Sequence, residues 1–341
     1  MNTRQRLITK HIDLLGCGLE IAPLFRPVLP KPEYNVYYTD YAPAEELRKK
    51  NASNTASNFG NPPEIKDLDF VWLPGTRLTQ AVPNGITFDY AIASHVIEHV
   101  PNMIGWLNEI LSTLKIGGKI ALVVPNKTAC FDFYRQNTPV SEFVESWILN
   151  SRKPSPTQIF DCLSLAAVDT GTPGSRSFDL GLPLSEAPRT YTLDQALDYA
   201  RTSAASNDYL DVHCSVFTPE SFVSVISTIV ELGLLNVSIS DPAHGAPSSD
   251  REIVSSEFMV TLTKLGDPRV AYAPLITTMA AFEGTSPLDQ LNPDLLHARQ
   301  AFSDAVAIQN EMKAKIASLQ AQIGFIPALG RVAQKILGRA S

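Results

Sequence analysis

The chain is predicted to be an α/β protein built on a largely parallel sheet, and three stretches carry that prediction. The first is Phe88 to Asn126, where the β-branched runs Tyr90 to Ala93 and Lys119 to Val124 flank a helical pattern. Val96, Ile97, Val100, Ile104, Leu107, Ile110, Leu111 and Leu114 recur there at helical spacing. The second is a set of short apolar runs at residues 18–21, 35–39 and 69–73, each followed by turn chemistry. The third is Thr218-Pro219-Glu220-Ser221, an N-cap with Pro at the first helical position, which opens a helix ended by Gly233 and followed by two alternating runs.

A strand, helix and strand of this length form a right-handed parallel crossover, which gathers functional loops at the carboxyl ends of the strands. Gly117 and Gly118 end the crossover helix, and Pro125 closes its second strand. Ser94, His95 and Asn126 are thereby expected on the working edge. Upstream, Thr3 to Leu15 reads as an opening helix stopped by Gly16, and Ala42 to Lys50 as a helix after the second strand. The Asn, Ser, Gly and Pro content of Ala52 to Pro63 marks a surface loop. Leu235 to Ser240 and Glu257 to Thr263 read as the last strands. Between Lys127 and Asp211 the punctuation and two helical patterns, Val140 to Asn150 and Leu193 to Ser203, predict an inserted subdomain rather than a plain loop.

Composition narrows the function. The 341 residues suggest about two domains, and a 44% apolar content supports a sizeable core. A net charge of −7 argues against general nucleic-acid binding. Cys17, Cys130, Cys162 and Cys214 form no CxxC pair and read as reduced thiols. No apolar leader and no run of 18 apolar residues is present, so a cytoplasmic protein, neither secreted nor membrane-spanning, is expected.

Beyond about residue 266 the composition changes. Gly266 to Pro293 is Pro-, Ala- and Thr-rich and reads as a linker. Leu295, Ala298, Phe302, Ala305, Gln309, Met312, Ile316, Leu319 and Ile323 follow heptad steps, a coiled-coil seam over 295–323. It could pair two copies, take a partner helix, or fold back as a single helix. The tail 324–341 carries Arg331, Lys335 and Arg339 beside one apolar face, a basic amphipathic piece suited to weak peripheral contact with the inner face of an anionic membrane. The expected division is a core of 1–127 and 212–265, an insert of 128–211 covering the substrate, the linker 266–294, the coiled coil and the tail.

The stretches "FDYAIASHVIEHV" and "LKIGGKIALVVPN" resemble the fourth-strand and fifth-strand motifs of class I S-adenosylmethionine-dependent methyltransferases. More narrowly, "GLEIAPLFRPVLPK", "SHVIEHVP" and "HCSVFTPESF" resemble a group of bacterial methyltransferase-domain proteins often associated with surface-polysaccharide synthesis. The likeness runs from about Leu7 to Leu265. It implies a Rossmann-like seven-stranded sheet with an antiparallel last strand, S-adenosylmethionine as cofactor, and a small-molecule or glycan acceptor methylated on oxygen.

Site residues follow from the resemblance and from position. Glu20 matches the motif acid after the first strand, but Ala22 and Leu24 stand where the family carries glycines, and Pro23 stiffens the turn. Asp40, at the end of the second strand, can accept both ribose hydroxyls, or simply cap the next helix. Pro74, Gly75 and Thr76 replace an acid after the third strand, which leaves Trp72 and backbone groups to meet the adenine. Ser94 and His95 are expected to line the methyl-donor pocket, with Glu98 and His99 fixing the first helical turn. His95, Glu98 and His99 are not in HExxH order and show no third ligand, so no metal is expected. His213 is a general-base candidate for a sugar hydroxyl, or a structural histidine before its helix. Tyr134 and Arg135 are expected to meet the acceptor. The rival reading is a methyltransferase-like scaffold that has lost turnover and assembles polysaccharide enzymes through its coiled coil. A nicotinamide-dependent dehydrogenase ranks last, because no GxGxxG follows the first strand.

Overall fold

The computed structural model describes residues 1–51, 64–83, 85–167, 182–244, 255–266 and 315. The chain divides into two units, Met1–Val270 and Ala271–Ser341. The linker, coiled coil and tail expected beyond residue 266 lie outside the described residues, apart from Lys315, which is helical and exposed. No described helix is long and apolar enough to cross a membrane.

The first unit runs α1 (Thr3–Ile8), β1 (Gly18–Ile21), β2 (Val36–Asp40), α2 (Ala44–Asn51), β3 (Phe70–Val71), α3 (Leu78–Ala81), β4 (Phe88–Ser94), α4 (Met103–Thr113) and β5 (Leu114–Pro125). It continues through α5 (Val140–Ile148), α6 (Pro156–Leu165), α7 (Leu193–Ala205), α8 (Pro219–Glu231), β6 (Val237–Ile239), β7 (Ala243–His244) and β8 (Glu257–Lys264). The strands form one sheet in the order β3-β2-β1-β4-β5-β8-β6, with β7 beside β8. Strands β1 to β5 pair in parallel, whereas β8 runs antiparallel to β5, β6 and β7. This is a mixed α/β sheet with the predicted crossover at its centre.

Alternation along the central strands separates two cores. Leu19, Ile21, Ala91, Ala93, Leu122 and Val260 face one layer, where Ile104, Leu107 and Ile110 of α4 and Phe222 and Ile226 of α8 pack on them. Tyr90, Ile92, Ala121, Val123 and Met259 point to the other face, covered by Ile8 of α1 and by Val28 and Leu29. Tyr90 also explains Gly18: the two are paired across β1 and β4, and a Cβ on Gly18 would meet the Tyr90 ring at 2.1 Å.

Several boundaries differ from the sequence reading. The opening helix stops at Ile8 instead of Leu15, since Thr9 turns its hydroxyl back onto the Gln5 carbonyl and the chain enters turns. The crossover helix is preceded by a separate 3-10 turn, Ile97–His99, because Pro101 interrupts the pattern and Asn102 caps a fresh start by accepting from the Gly105 amide. Strand β5 begins at Leu114, so Gly117, at φ +77°, sits within the strand's span rather than ending the helix. Helix α8 starts as expected, with Thr218 and Ser221 capping each other's amides. Residues 128–211 hold α5, α6 and α7; α6, opened by a Ser155–Gln158 capping box, was not foreseen, and it packs on α7 through Ile159, Leu163, Ala196 and Ala200.

Replacing Gly18 by Ala forces the buried Tyr90 ring to move and is expected to cost about 1–3 kcal/mol. A thermal melt of G18A should fall by roughly 3–10 °C at this chain size. An unchanged melting temperature would show that the ring yields freely.

Candidate active site at the carboxyl edge of the sheet

Strands β1, β2 and β4 deliver their last residues to one edge, where parallel α/β sheets place their ligands. The turn after β1 keeps a left-handed backbone without glycine: Ala22 lies at φ +53° and Leu24 at φ +43°. Such conformations cost roughly 1–2 kcal/mol for an L-residue and persist only where their surroundings impose them. Here the Ala22 amide donates to the Thr39 carbonyl at 2.8 Å, and the Leu24 carbonyl accepts from the Lys66 amide at 2.8 Å. Leu24 is packed beside Ala42, Leu47 and Ile65, and Ala22 against the main core.

Glu20 fastens this turn. Its carboxylate is 2% exposed and accepts from the amides of Val28 at 2.6 Å and Leu29 at 3.1 Å. Burial pushes its pKa up to about 7, against the pull of those two amides and of Arg4. Asp40 is equally buried, but only half satisfied. Its Oδ1 accepts from the Tyr41 amide at 2.7 Å, whereas Oδ2 has no hydrogen-bond partner. Burial raises the Asp40 pKa to about 6, opposed by the Tyr41 amide and Lys50.

From β4 toward residue 213 the edge is lined by a chain of charges of alternating sign. Arg4 of α1 clasps Glu257 of β8 through two contacts of 2.6 and 2.9 Å, and donates to the Ser94 hydroxyl at 2.9 Å. Glu257 also meets His95 Nε2 at 2.8 Å, and His95 Nδ1 lies 3.6 Å from Glu98. Burial disfavours the His95 cation, but the Glu257 carboxylate and then that of Glu98 outweigh it and lift its pKa to about 9. Glu257 is driven down to about 2: burial opposes the shift, and His95 and Arg4 overcome it. His95 takes φ +55°, a third left-handed residue at this edge.

Past Glu98, His99 Nδ1 stands 2.8 Å from Asp211, off the direction of a good hydrogen bond. The Tyr209 hydroxyl donates to the His99 carbonyl at 2.9 Å, and its ring lies 6.4 Å from that of Tyr41, next to Asp40. His213 Nδ1 meets Asp132 at 2.5 Å, and Arg135 holds the other Asp132 oxygen at 2.9 Å while donating to the His213 carbonyl at 2.9 Å. The rings of His99 and His213 meet edge to face at 4.7 Å.

A family model described as a methyltransferase domain matches residues 15–225, more than half of the chain. The chain belongs to that family. It carries a methyltransferase domain. No curated protein matches it. Among solved structures, a SAM-dependent methyltransferase from Methanosarcina mazei is 12% identical, covers 76% of this chain and 96% of its own, and aligns with a TM-score of 0.35. The N-methyltransferase NodS from Bradyrhizobium japonicum is 9% identical, with 77% and 93% covered and a TM-score of 0.33.

Two features suit the S-adenosylmethionine that the resemblance implies: the left-handed turn after β1, and Asp40 Oδ2, which has no hydrogen-bond partner among the described residues. The other expected site residues make the following contacts within the chain. Glu20 spends both oxygens on the backbone, so it shapes the cofactor turn rather than presenting a free carboxylate. Trp72 donates its indole N–H to the Thr76 carbonyl at 3.0 Å and stacks on Trp106 of α4 at 6.4 Å. Ser94 and His95 are tied to Arg4 and Glu257. Tyr134 donates to the Leu182 carbonyl at 2.6 Å. Arg135, expected to meet an acceptor, is 5% exposed and braces Asp132 and His213 instead. Sequence reasoning missed Arg4, Asp132, Asp211 and Glu257, whose partners lie far away in the chain; only the closeness of Asp211 to His213 in "DVH" was a usable signal.

The clasp predicts a pH profile. Glu257, depressed in the fold, contributes stability present above about pH 4.5 and lost as pH falls through about 2. His95, raised in the fold, contributes stability present below about pH 6.5 and lost as pH rises through about 9. In thermal melts the gap between the native chain and E257Q should be widest between those limits and narrow on both sides. A gap constant from pH 3 to 9 would rule out this linkage.

Proposed function

We propose that this methyltransferase acts on oxygen, and that its acceptor is a hydroxyl of a glycan or glycan precursor. The observation that carries the reading is the pair His213 and Asp132. A carboxylate on Nδ1 holds that nitrogen protonated and leaves Nε2 as the basic atom. Arg135 keeps Asp132 ionised, its pKa held low despite burial, by His213 first and Arg135 after it. An alcohol is too weak an acid to react unaided, and an imidazole within reach of its proton supplies the missing base. The glycan class is supported by the likeness of the stretches around Glu20, Glu98 and His213 to bacterial proteins associated with surface-polysaccharide synthesis.

S-adenosylmethionine, when bound, supplies an activated methyl on a sulfonium. The chain's own task is then largely positioning. Asp40 holds a ribose through Oδ2, and the turn at Ala22 and Leu24 keeps backbone close to the cofactor. His95, charged at neutral pH and fixed between Glu257 and Glu98, borders the donor end. His213 takes the acceptor's proton at Nε2, and Asp132 stabilises the imidazolium that results. The retained left-handed turn and the open Asp40 oxygen favour this reading over a scaffold without turnover.

Saturating S-adenosylhomocysteine, at 100 times Kd, should stabilise the protein by about 2.7 kcal/mol, a rise of roughly 5–10 °C in Tm. D40N should weaken that binding about 10- to 100-fold through loss of a charged acceptor. H213N should bind S-adenosylhomocysteine normally and lose about 10²- to 10⁴-fold in turnover on a sugar hydroxyl. Methyl transfer from labelled donor to amines, with none to a panel of sugar nucleotides and oligosaccharides, would refute the oxygen assignment.

A further inference from the structure

The carboxyl edge contains one arrangement that methyl transfer by itself does not require. Glu98, His99 and His213 each bring one ligand atom within 4.8 Å of the others, although His213 is far away in the chain. Glu98 is 1% exposed, neither of its carboxylate oxygens has a hydrogen-bond partner among the described residues, and His95 Nδ1 stands 3.6 Å from Oε1, beyond hydrogen-bond reach. An ionised carboxylate left so in a protein interior costs several kcal/mol, unless a cation completes it.

The histidines are oriented for the same cation. His213 Nδ1 is taken by Asp132, and His99 Nδ1 faces Asp211, which leaves Nε2 of each ring as its ligand atom. His99 Nε2 lies 4.0 Å from Glu98 Oε1. A carboxylate behind each imidazole is the usual outer support of a histidine metal ligand, fixing its tautomer and raising its basicity. Tetrahedral coordination at bonds of about 2.0–2.1 Å sets ligand atoms roughly 3.3 Å apart, so closure asks for small side-chain rotations.

We propose that Glu98, His99 and His213 bind one divalent first-row metal ion, with Asp211 and Asp132 as its outer carboxylates. Two imidazoles and one carboxylate suit zinc or its neighbours, and leave at least one coordination position open. The missing third ligand of the sequence spacing is thus supplied by the fold. The metal site stands independently of the acceptor's identity. With a metal bound, His213 Nε2 is a ligand and not a base, so the base role of His213 belongs to the metal-free chain.

The test uses the full chain, stripped with EDTA and titrated with cobalt(II) chloride, followed by absorption of the cobalt centre and by calorimetric competition with zinc chloride. One cobalt per chain is expected, with binding lost in E98Q, H99N and H213N and weakened about 10- to 100-fold in D132N and D211N. The S-adenosylhomocysteine thermal shift, retained in each variant, shows that the fold and donor site are intact. Should H213N fail to fold, E98Q decides, because no described group hydrogen-bonds to the Glu98 carboxylate. The native chain should melt higher with metal than without; E98Q should show no such rise. Native chain that binds S-adenosylhomocysteine but no cobalt, or E98Q that binds cobalt as the native chain does, would overturn the proposal.

Discussion

Holding carboxylates out of water along one sheet edge is the constraint on which the rest of this site depends. Each buried acid must find donors, find a cation, or lose its charge. Glu20 finds two backbone amides and in doing so fixes the path from Ala22 to Leu29. Asp132 finds His213 and Arg135, and the three together tie residue 132 to residue 213. Asp40 and Glu98 are the exceptions: one is satisfied on a single oxygen and the other on neither. At these two open acids the proposed methyl donor and the proposed metal would complete the polar contacts that the described residues leave open.

The backbone gives an independent indication of the same places. Three of the left-handed non-glycine residues, Ala22, Leu24 and His95, stand directly after β1 and β4. Strain of this kind is tolerated where neighbouring contacts over-determine it, and Glu20, Lys66 and Glu257 supply those contacts. Ala22 and Leu24, where the resembled family carries glycines, thus take left-handed backbone with a side chain in place. Leu24 adds apolar packing against Leu47 and Ile65 that a glycine lacks. That packing offsets part of the cost of its conformation.

The core crossover was legible because its signals are local: period-3.6 apolar residues between two β-branched runs, and a Thr-Pro-Glu-Ser cap before α8. Its fine structure was less so. Pro101 splits one apparent helix into a 3-10 turn and a recapped α4, and the hydrophobic spacing runs through the break without recording it. Asp40 was read from its position at a strand end, which topology dictates. The partnerships of Arg4 with Glu257 and of Asp132 with His213 were not legible. A single sequence carries no term for contacts between residues so far apart, and Arg135 looked like an acceptor contact only because its buried partners were unseen.

The distribution of the cluster along the chain has its own consequence. Glu98 and His99 belong to the turn after β4, inside the parallel core, whereas Asp132 and Asp211 sit at the two ends of the long excursion between β5 and α8. His213 lies just beyond that excursion, and the amides of Cys214 and Ser215 both donate to the Glu98 carbonyl, at 2.6 and 3.2 Å. The core thus provides one half of the polar cluster and the boundaries of the excursion the other half. Asp40 and His213 thus stand on separate elements of one edge, and beside them the Tyr41 and Tyr209 rings lie 6.4 Å apart.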